Sequence, residues 1–268
     1  MRAKVLSQRY FSVPDLVILL WVATMIYGVV SIGHEWRAEF HPMTEIDLSV
    51  RSLPYYTLMS AMRAIVAYFV SLFFTLTVGF LAARTRAGEK IIIPLLDIFQ
   101  SIPVLGFLPG LLLGLVALFP NTNTGLELAA ILMIFTGQVW NMTFSFYSSL
   151  KSIPPDFQEA STVIGLNRWE KLTKIELPFA AVNLAWNSLL SMAGGWFFLI
   201  LCEAITLGDK EYRLPGIGAY MDVAIKQGDQ RAIVSAILAM VLLILLMDFA
   251  IWRPILAWVQ KFRLEEIA

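Results

Sequence analysis

The sequence predicts an all-α, polytopic membrane protein with about six transmembrane helices. Two bulk observations carry this expectation. Of the 268 residues, 58% are hydrophobic and 15% charged, where a soluble domain usually carries about 25% charged residues. The mean hydropathy is +0.72, so most of the chain has nothing polar to offer water. The third observation is positional: apolar runs close to the roughly 20 residues that cross a bilayer recur along the whole chain.

Taken in order, the expected spans are Leu16–Ile32, Ala64–Ala83, Ile102–Phe119, Leu128–Tyr147, Phe179–Cys202 and Ala232–Trp252. The first follows Arg2, Lys4 and Arg9 in the manner of a signal peptide. It is too long for one and no small-residue cleavage site follows, so it reads as an uncleaved anchor. The third is interrupted by Pro103 and Pro109, and the count falls to five if this run is partly re-entrant. The fourth carries Gln138 and Asn141.

Cytoplasmic loops are enriched in Lys and Arg. With the N-terminus inside and six spans threaded, the inside segments hold Arg2, Lys4, Arg9, Arg84, Arg86, Lys90, Lys151, Arg168, Lys171, Lys174, Arg253, Lys261 and Arg263. These are most of the twenty basic residues. Both termini are therefore expected in the cytoplasm. The outside segments, 34–63, a short NTNTG turn and 203–230, are too small to be separate domains.

Composition also excludes chemistry. The net charge is zero, so no long-range field draws nucleic acid. Cys202 is the only cysteine and His34 and His41 the only histidines, which rules out an internal disulfide and leaves too few ligands for a zinc site. No GxxxxGK[ST] phosphate loop occurs, so the chain is not expected to bind ATP by that route or to carry a cofactor of its own.

The most informative segment is the inside connection 151–177, with PPDFQEASTVIGLNRWEKLTKIELP running through it. Pro155 suits the first position of a helix, and Asp156 and Glu159 complement the positive end of its dipole. Phe157, Ala160, Ser161 and Ile164 fall on one face at helical spacing. Gly165 then ends the helix in the left-handed conformation that glycine adopts freely. Asn167 caps a second helix, with Glu170 completing a capping box, and that helix runs through Leu172, Ile175 and Leu177 to Pro178. Physics alone leaves two readings open: an amphipathic hairpin lying against lipid, or a docking element for a partner.

Glu159-Ala160, then Gly165, then Ile175 and Leu177-Pro178 resemble the EAA motif of ABC-importer permeases, with Ser161 in place of the second alanine. In that family this loop is the coupling helix that docks in a cytoplasmic ATPase. Thr57–Arg63, Gly79 with ARTR, Pro94–Asp97, Ser101-Ile102-Pro103, Leu108-Pro109, Glu203 and LPGIGAY at 214–220 resemble the nitrate/sulfonate/taurine/bicarbonate branch. The likeness covers about 54–252. Trp252-Arg253-Pro254 with Lys261-Phe262-Arg263 is similar to the joint of fused permeases.

The resemblance implies a type I importer transmembrane domain formed by the whole chain, 1–268. It implies cytoplasmic ATPase subunits, a second permease half of the same or different sequence, and a periplasmic or lipid-anchored binding protein. It also implies a small anionic substrate. Coupling would rest on Glu159, Ala160, Ser161, Gly165, Leu177 and Pro178.

Polar residues in spans need a reason, because a central Asp, Lys or Arg costs about 2.5–3.5 kcal/mol. Arg63 is expected at the outer lip of the second span, either snorkelling or attracting an anion. Asp248 is expected beside Arg253 at the inner interface. Gln138, Asn141, Asn187 and Glu203, with Arg63, are the candidate pathway residues; amides in spans otherwise bridge helices. Gly106, Gly110 and Gly114, and Ser188, Ser191 and Gly195, form small-residue stripes that signal close helix packing. A membrane-embedded enzyme would need a cluster of His, Cys, Asp or Glu at one depth, and a secondary carrier would show internal repeats. Neither pattern is present in the sequence.

Overall fold

The computed structural model describes residues 13–40 and 43–262. Arg2, Lys4, Arg9, His41 and Arg263, which the sequence reading uses, lie outside these residues. The first helix, α1 (Val13–Arg37), contains the first expected span and turns Leu19, Leu20, Ile26 and Val30 outward. Four continuous helices among the described residues are long and apolar enough to cross a bilayer. They are α2 (Leu53–Arg84), α5 (Thr124–Lys151), α7 (Arg168–Glu203) and α9 (Gln230–Phe262).

Between α2 and α5 the chain forms α3 (Arg86–Ser101) and α4 (Val104–Leu118), bent by 93° at their junction. The cause is local. Ile102 precedes Pro103 and takes an extended conformation, φ −75° and ψ 122°, because the proline ring disfavours the helical region at the residue before it. At 1.5 Å per residue, the 15 residues of α4 reach only about 22 Å, short of the roughly 30 Å hydrocarbon core. The third expected span is therefore a broken one.

The core is built on α5 and α7. Leu126, Met133 and Ile134 of α5 meet Met192, Trp196 and Leu199 of α7, with Leu112 of α4 closing one side. The two backbones cross where Gly137 and Gly194 face each other: an added Cβ on Gly194 would sit 2.8 Å from the Gly137 carbonyl oxygen. At one end of the bundle Phe146, Leu150, Ile153 and Ala180 form a smaller cluster. At the other, Tyr56 of α2 packs on Tyr220, and Leu53 on α2 joins Ala232 and Ala236 of α9.

Segments expected on one side of the membrane do meet at one end. Thr124 Oγ1 donates to the Trp36 carbonyl at 2.7 Å, and Phe40 N–H to Asn121 at 3.2 Å. The same end carries a hairpin the all-α reading omitted: β1 (Ala204–Leu207) pairs antiparallel with β2 (Lys210–Arg213) around Gly208, φ 59°. Helix α8 (Ile217–Gln227) follows. The opposite end gathers Arg84, Glu89, Lys151 and Glu176.

Two of the expected packing stripes part company. Ser188 and Ser191 are fully buried, and Gly195 lies against the Gln138 side chain. Gly106, Gly110 and Gly114 on α4 are not packed against any of the described residues, since a Cβ at any of them would meet nothing among these within 4 Å. On α7, Trp196 is core and Phe197 faces outward. Arg253 Nε donates to Asp248 at 2.9 Å, as expected.

Candidate functional site

The hairpin between α5 and α7 forms as its residues dictate. A short helix, α6 (Pro155–Val163), starts on Pro155 with Asp156 in its first turn. It ends in a complete Schellman arrangement. Leu166 N–H donates to the Ser161 carbonyl at 3.0 Å, Gly165 N–H to Thr162 at 3.1 Å, and Gly165 has φ 74°. Asn167 Oδ1 then accepts from Glu170 N–H at 2.9 Å while Glu170 accepts from Asn167 N–H at 3.1 Å, the expected capping box.

The second arm differs from the reading. It is no separate helix ending at Pro178 but the first two turns of α7, joined through a π-helical turn at Leu172–Glu176. A proline ring inside a helix collides with the carbonyl four residues before it, here that of Lys174, and a widened turn relieves the collision. The same solution recurs in α9, where the π turn Asp248–Trp252 immediately precedes Arg253-Pro254.

Support for the hairpin comes from one side only. Arg84 Nη2 reaches both carboxylate oxygens of the buried Glu176 at 2.7 and 2.8 Å, tying the end of α2 to the π turn. Lys151 and the Tyr147 hydroxyl both hold Glu89 of α3, at 2.9 and 2.6 Å. Ser161 is the one buried residue of α6, and its hydroxyl donates to the Gln158 carbonyl. Glu159 and Ala160 face solvent. Of the face expected to be apolar, Phe157, Ala160 and Ile164 are exposed and Ser161 is buried; off that face, Val163 is 87% and Trp169 71% exposed. Leu177 and Pro178 are half-buried under Ile175 and the small cluster.

The candidate pathway residues divide into two groups. Arg63 is not at a lip: it is 0% exposed and its guanidinium is fully engaged by anions. It makes a two-pronged pair with Glu127 of α5 (2.7 and 2.6 Å) and reaches Glu203 and the Pro215 carbonyl, both at 2.8 Å. Glu203 also accepts from the Ser60 hydroxyl (2.7 Å) and Gly218 N–H (2.7 Å), and Ser60 accepts from Ile217 N–H at 2.9 Å. Gly216 and Gly218 are needed here, because a Cβ on Gly216 would lie 2.2 Å from the Glu203 carboxyl carbon. The cluster pins the 214–218 segment to three spans. Gln138 is likewise interior, 3.4 Å from Ser71 and packed on Gly195.

Asn141 and Asn187 belong to the second group. Asn141 is exposed, and Asn187 Nδ2 bridges to Ser145 on α5 at 2.9 Å. Sequence reasoning missed Glu127, Ser60 and the Arg84–Glu176 pair, whose partners lie 64 to 143 residues apart and leave no local spacing. An acid placed just inside an apolar run, at the same end as Arg63, was the one available signal. Among the described residues no group of three or more His, Cys, Asp or Glu is placed to hold a metal.

The fold is a broken-span helical bundle with an exposed, rigidly founded hairpin at one end. The chain belongs to the family of binding-protein-dependent transport system inner membrane components, matched over residues 75–251. It is 23% identical over 248 residues to the bicarbonate transport system permease protein CmpB of Synechococcus elongatus, covering 91% of this chain and 83% of that one. It is also 23% identical over 189 residues to the nitrate import permease protein NrtB of Leptolyngbya laminosa, covering 70% and 63%. Its fold resembles a chain of the MetNI methionine ABC transporter in an inward-facing conformation, with TM-score 0.64, 20% identity, and 78% and 96% coverage. The protein is a permease subunit of an ABC importer, working with an ATPase and a substrate-binding protein.

Proposed function

We infer that this permease carries a small inorganic anion, and that the hairpin 151–177 is the coupling element that receives force from a cytoplasmic ATPase. The observation that carries the second point is the exposure of Val163, Ile164 and Trp169 on a frame fixed by Arg84–Glu176. Apolar side chains on a rigid, polar-rimmed projection fit a partner's groove. Glu159, Ala160, Ser161, Gly165, Leu177 and Pro178 set its shape. Both termini and this hairpin face the cytoplasm, in keeping with the basic residues around it.

The open glycine stripe of α4 offers close backbone approach to a second permease half, identical or different, since one bundle encloses no pathway alone. ATP and magnesium act on the partner ATPase. Its closure draws the two hairpins together and opens the spans toward a loaded binding protein, periplasmic or lipid-anchored; hydrolysis resets the inward-open state. The anion follows from the bicarbonate and nitrate permeases to which the chain is similar.

The test is reconstitution with its companion ATPase and binding protein. The purified permease alone should show no ATP turnover, and the ATPase should co-purify with it. Turnover by the permease after removal of every other subunit, or failure of the ATPase to bind, would reject this reading.

A further inference from the structure

One polar surface is neither buried nor used by the hairpin. On α5, Asn141, Ser145 and Ser148 follow one another at spacings of four and three residues, one helical face. On α7, Asn183 and Asn187 lie beside them: Asn187 Nδ2 donates to Ser145 Oγ at 2.9 Å, and Asn183 Nδ2 to Ser149 Oγ at 3.0 Å. Asn141, Ser148 and Asn183 are exposed, and Asn141 has no hydrogen-bond partner among the described residues. The strip runs from Asn141 to within three residues of Lys151. At 1.5 Å per residue it therefore reaches about 15 Å into the bundle from the end that carries the hairpin.

The Asn141 amide has no side-chain partner among the described residues, and an unsatisfied amide facing hydrocarbon is costly, so its surroundings are non-lipid. The strip also contains no charge: no Asp, Glu, Lys, Arg or His occurs between 128 and 150 or between 177 and 202. The bundle's fixed cation at the far end, Arg63, is sealed and compensated by two carboxylates.

Resting on the transport reading above, we propose that this α5–α7 strip is the wall of the inner vestibule, and that it passes a small oxyanion by uncharged hydrogen-bond dipoles. No fixed positive charge takes part. A neutral dipolar wall suits release, because an anion bound by a buried cation in a water-poor site would leave slowly.

Two measurements on the complete importer test this. With Cys202 replaced by Ala, single cysteines at Asn141, Ser145, Ser148 and Asn187 are exposed to a charged, membrane-impermeant thiol reagent from the cytoplasmic side of inverted vesicles. All four should react, and a cysteine at the outward-facing Leu238 of α9 should not. Protection of all four in the assembled importer would mean that the strip is an interface between permease halves or faces lipid, and would overturn the proposal.

The second measurement is uptake of labelled bicarbonate and of nitrate into proteoliposomes. Asn141→Asp should lower it at least tenfold by placing like charge beside the anion, while stimulation of ATP hydrolysis by the binding protein is spared. Undiminished uptake with Asn141→Asp would refute the wall as an anion path. If the parent importer moves neither anion, the substrate reading fails, and thiol labelling still decides whether the strip lines the vestibule.

Discussion

Two residues show how differently a charge and a glycine carry their consequences. Arg63 is held by Glu127 and Glu203 with all three side chains sealed from solvent. Removing one partner of a buried ion network leaves uncompensated charge, which costs about 3–5 kcal/mol, more than the network itself contributes. Arg63→Met should therefore lower the unfolding temperature of the detergent-purified protein strongly. The double variant Arg63→Met with Glu203→Gln should recover part of that loss, because it deletes one orphaned anion. A single variant as stable as the parent would show that the cluster is hydrated. Gly165 acts through the backbone alone: nothing lies within 4 Å of its missing Cβ, yet its φ is 74°. Gly165→Val meets no steric wall but strains the turn by about 1–2 kcal/mol. It should insert and express normally and lose association with the ATPase, as should Glu159→Lys, read by co-purification. Normal transport by both variants would remove the hairpin from the coupling route.

At the scale of elements, the π turns are the feature that periodicity could not reveal. Hydrophobic spacing sees a helix through 172–176 and a proline at 178, and the natural reading is a boundary between two helices. The chain instead widens one turn and continues, so the hairpin's second arm and the α7 span are one rod. Movement at Trp169 is thus delivered directly to the α5–α7 core. Pro178→Ala removes the clash that maintains the widened turn. A return to regular α-helix there would rotate the arm by about 100°, one residue's worth. The expected result is a shift in spin-label distance between Val163 and a fixed site on α5, with ATP hydrolysis no longer stimulated by the binding protein. An unchanged distance would assign the turn to packing instead. The same contrast explains which elements were legible: caps, the Gly165 stop and the Asp248–Arg253 pair are local and readable from spacing. The β1–β2 hairpin is also local, closed across Gly208 and Asp209, and a search for apolar spans passes over it; the Arg63–Glu127–Glu203 cluster joins residues far apart in sequence, and only the folded bundle brings them together.

For the whole molecule, the positive-inside rule predicts the sidedness, and the fold makes that prediction testable. Thr122 and Ser152 flank the 28 residues of α5, about 42 Å apart along the helix, which is longer than the hydrocarbon core is thick. Each sits among segments that converge at its own end: Thr122 with residues 36–40, Ser152 with the hairpin and the Arg84–Glu176 pair. The alternation of ends is therefore fixed by contacts, and a single orientation decides all the loops together. The basic residues Arg84, Arg86, Lys90, Lys151, Arg168, Lys171 and Lys174 gather at the Ser152 end, which the positive-inside rule assigns to the cytoplasm. In a chain with Cys202 replaced, a cysteine at Thr122 should react with an impermeant thiol reagent added to intact cells. A cysteine at Ser152 should react only after the cells are opened. The two sites must report opposite sides whichever way the protein is inserted, since α5 crosses once between them. Labelling of both from outside would contradict the fold, whereas labelling of Ser152 alone from outside would invert the molecule and remove the hairpin from the reach of any cytoplasmic ATPase.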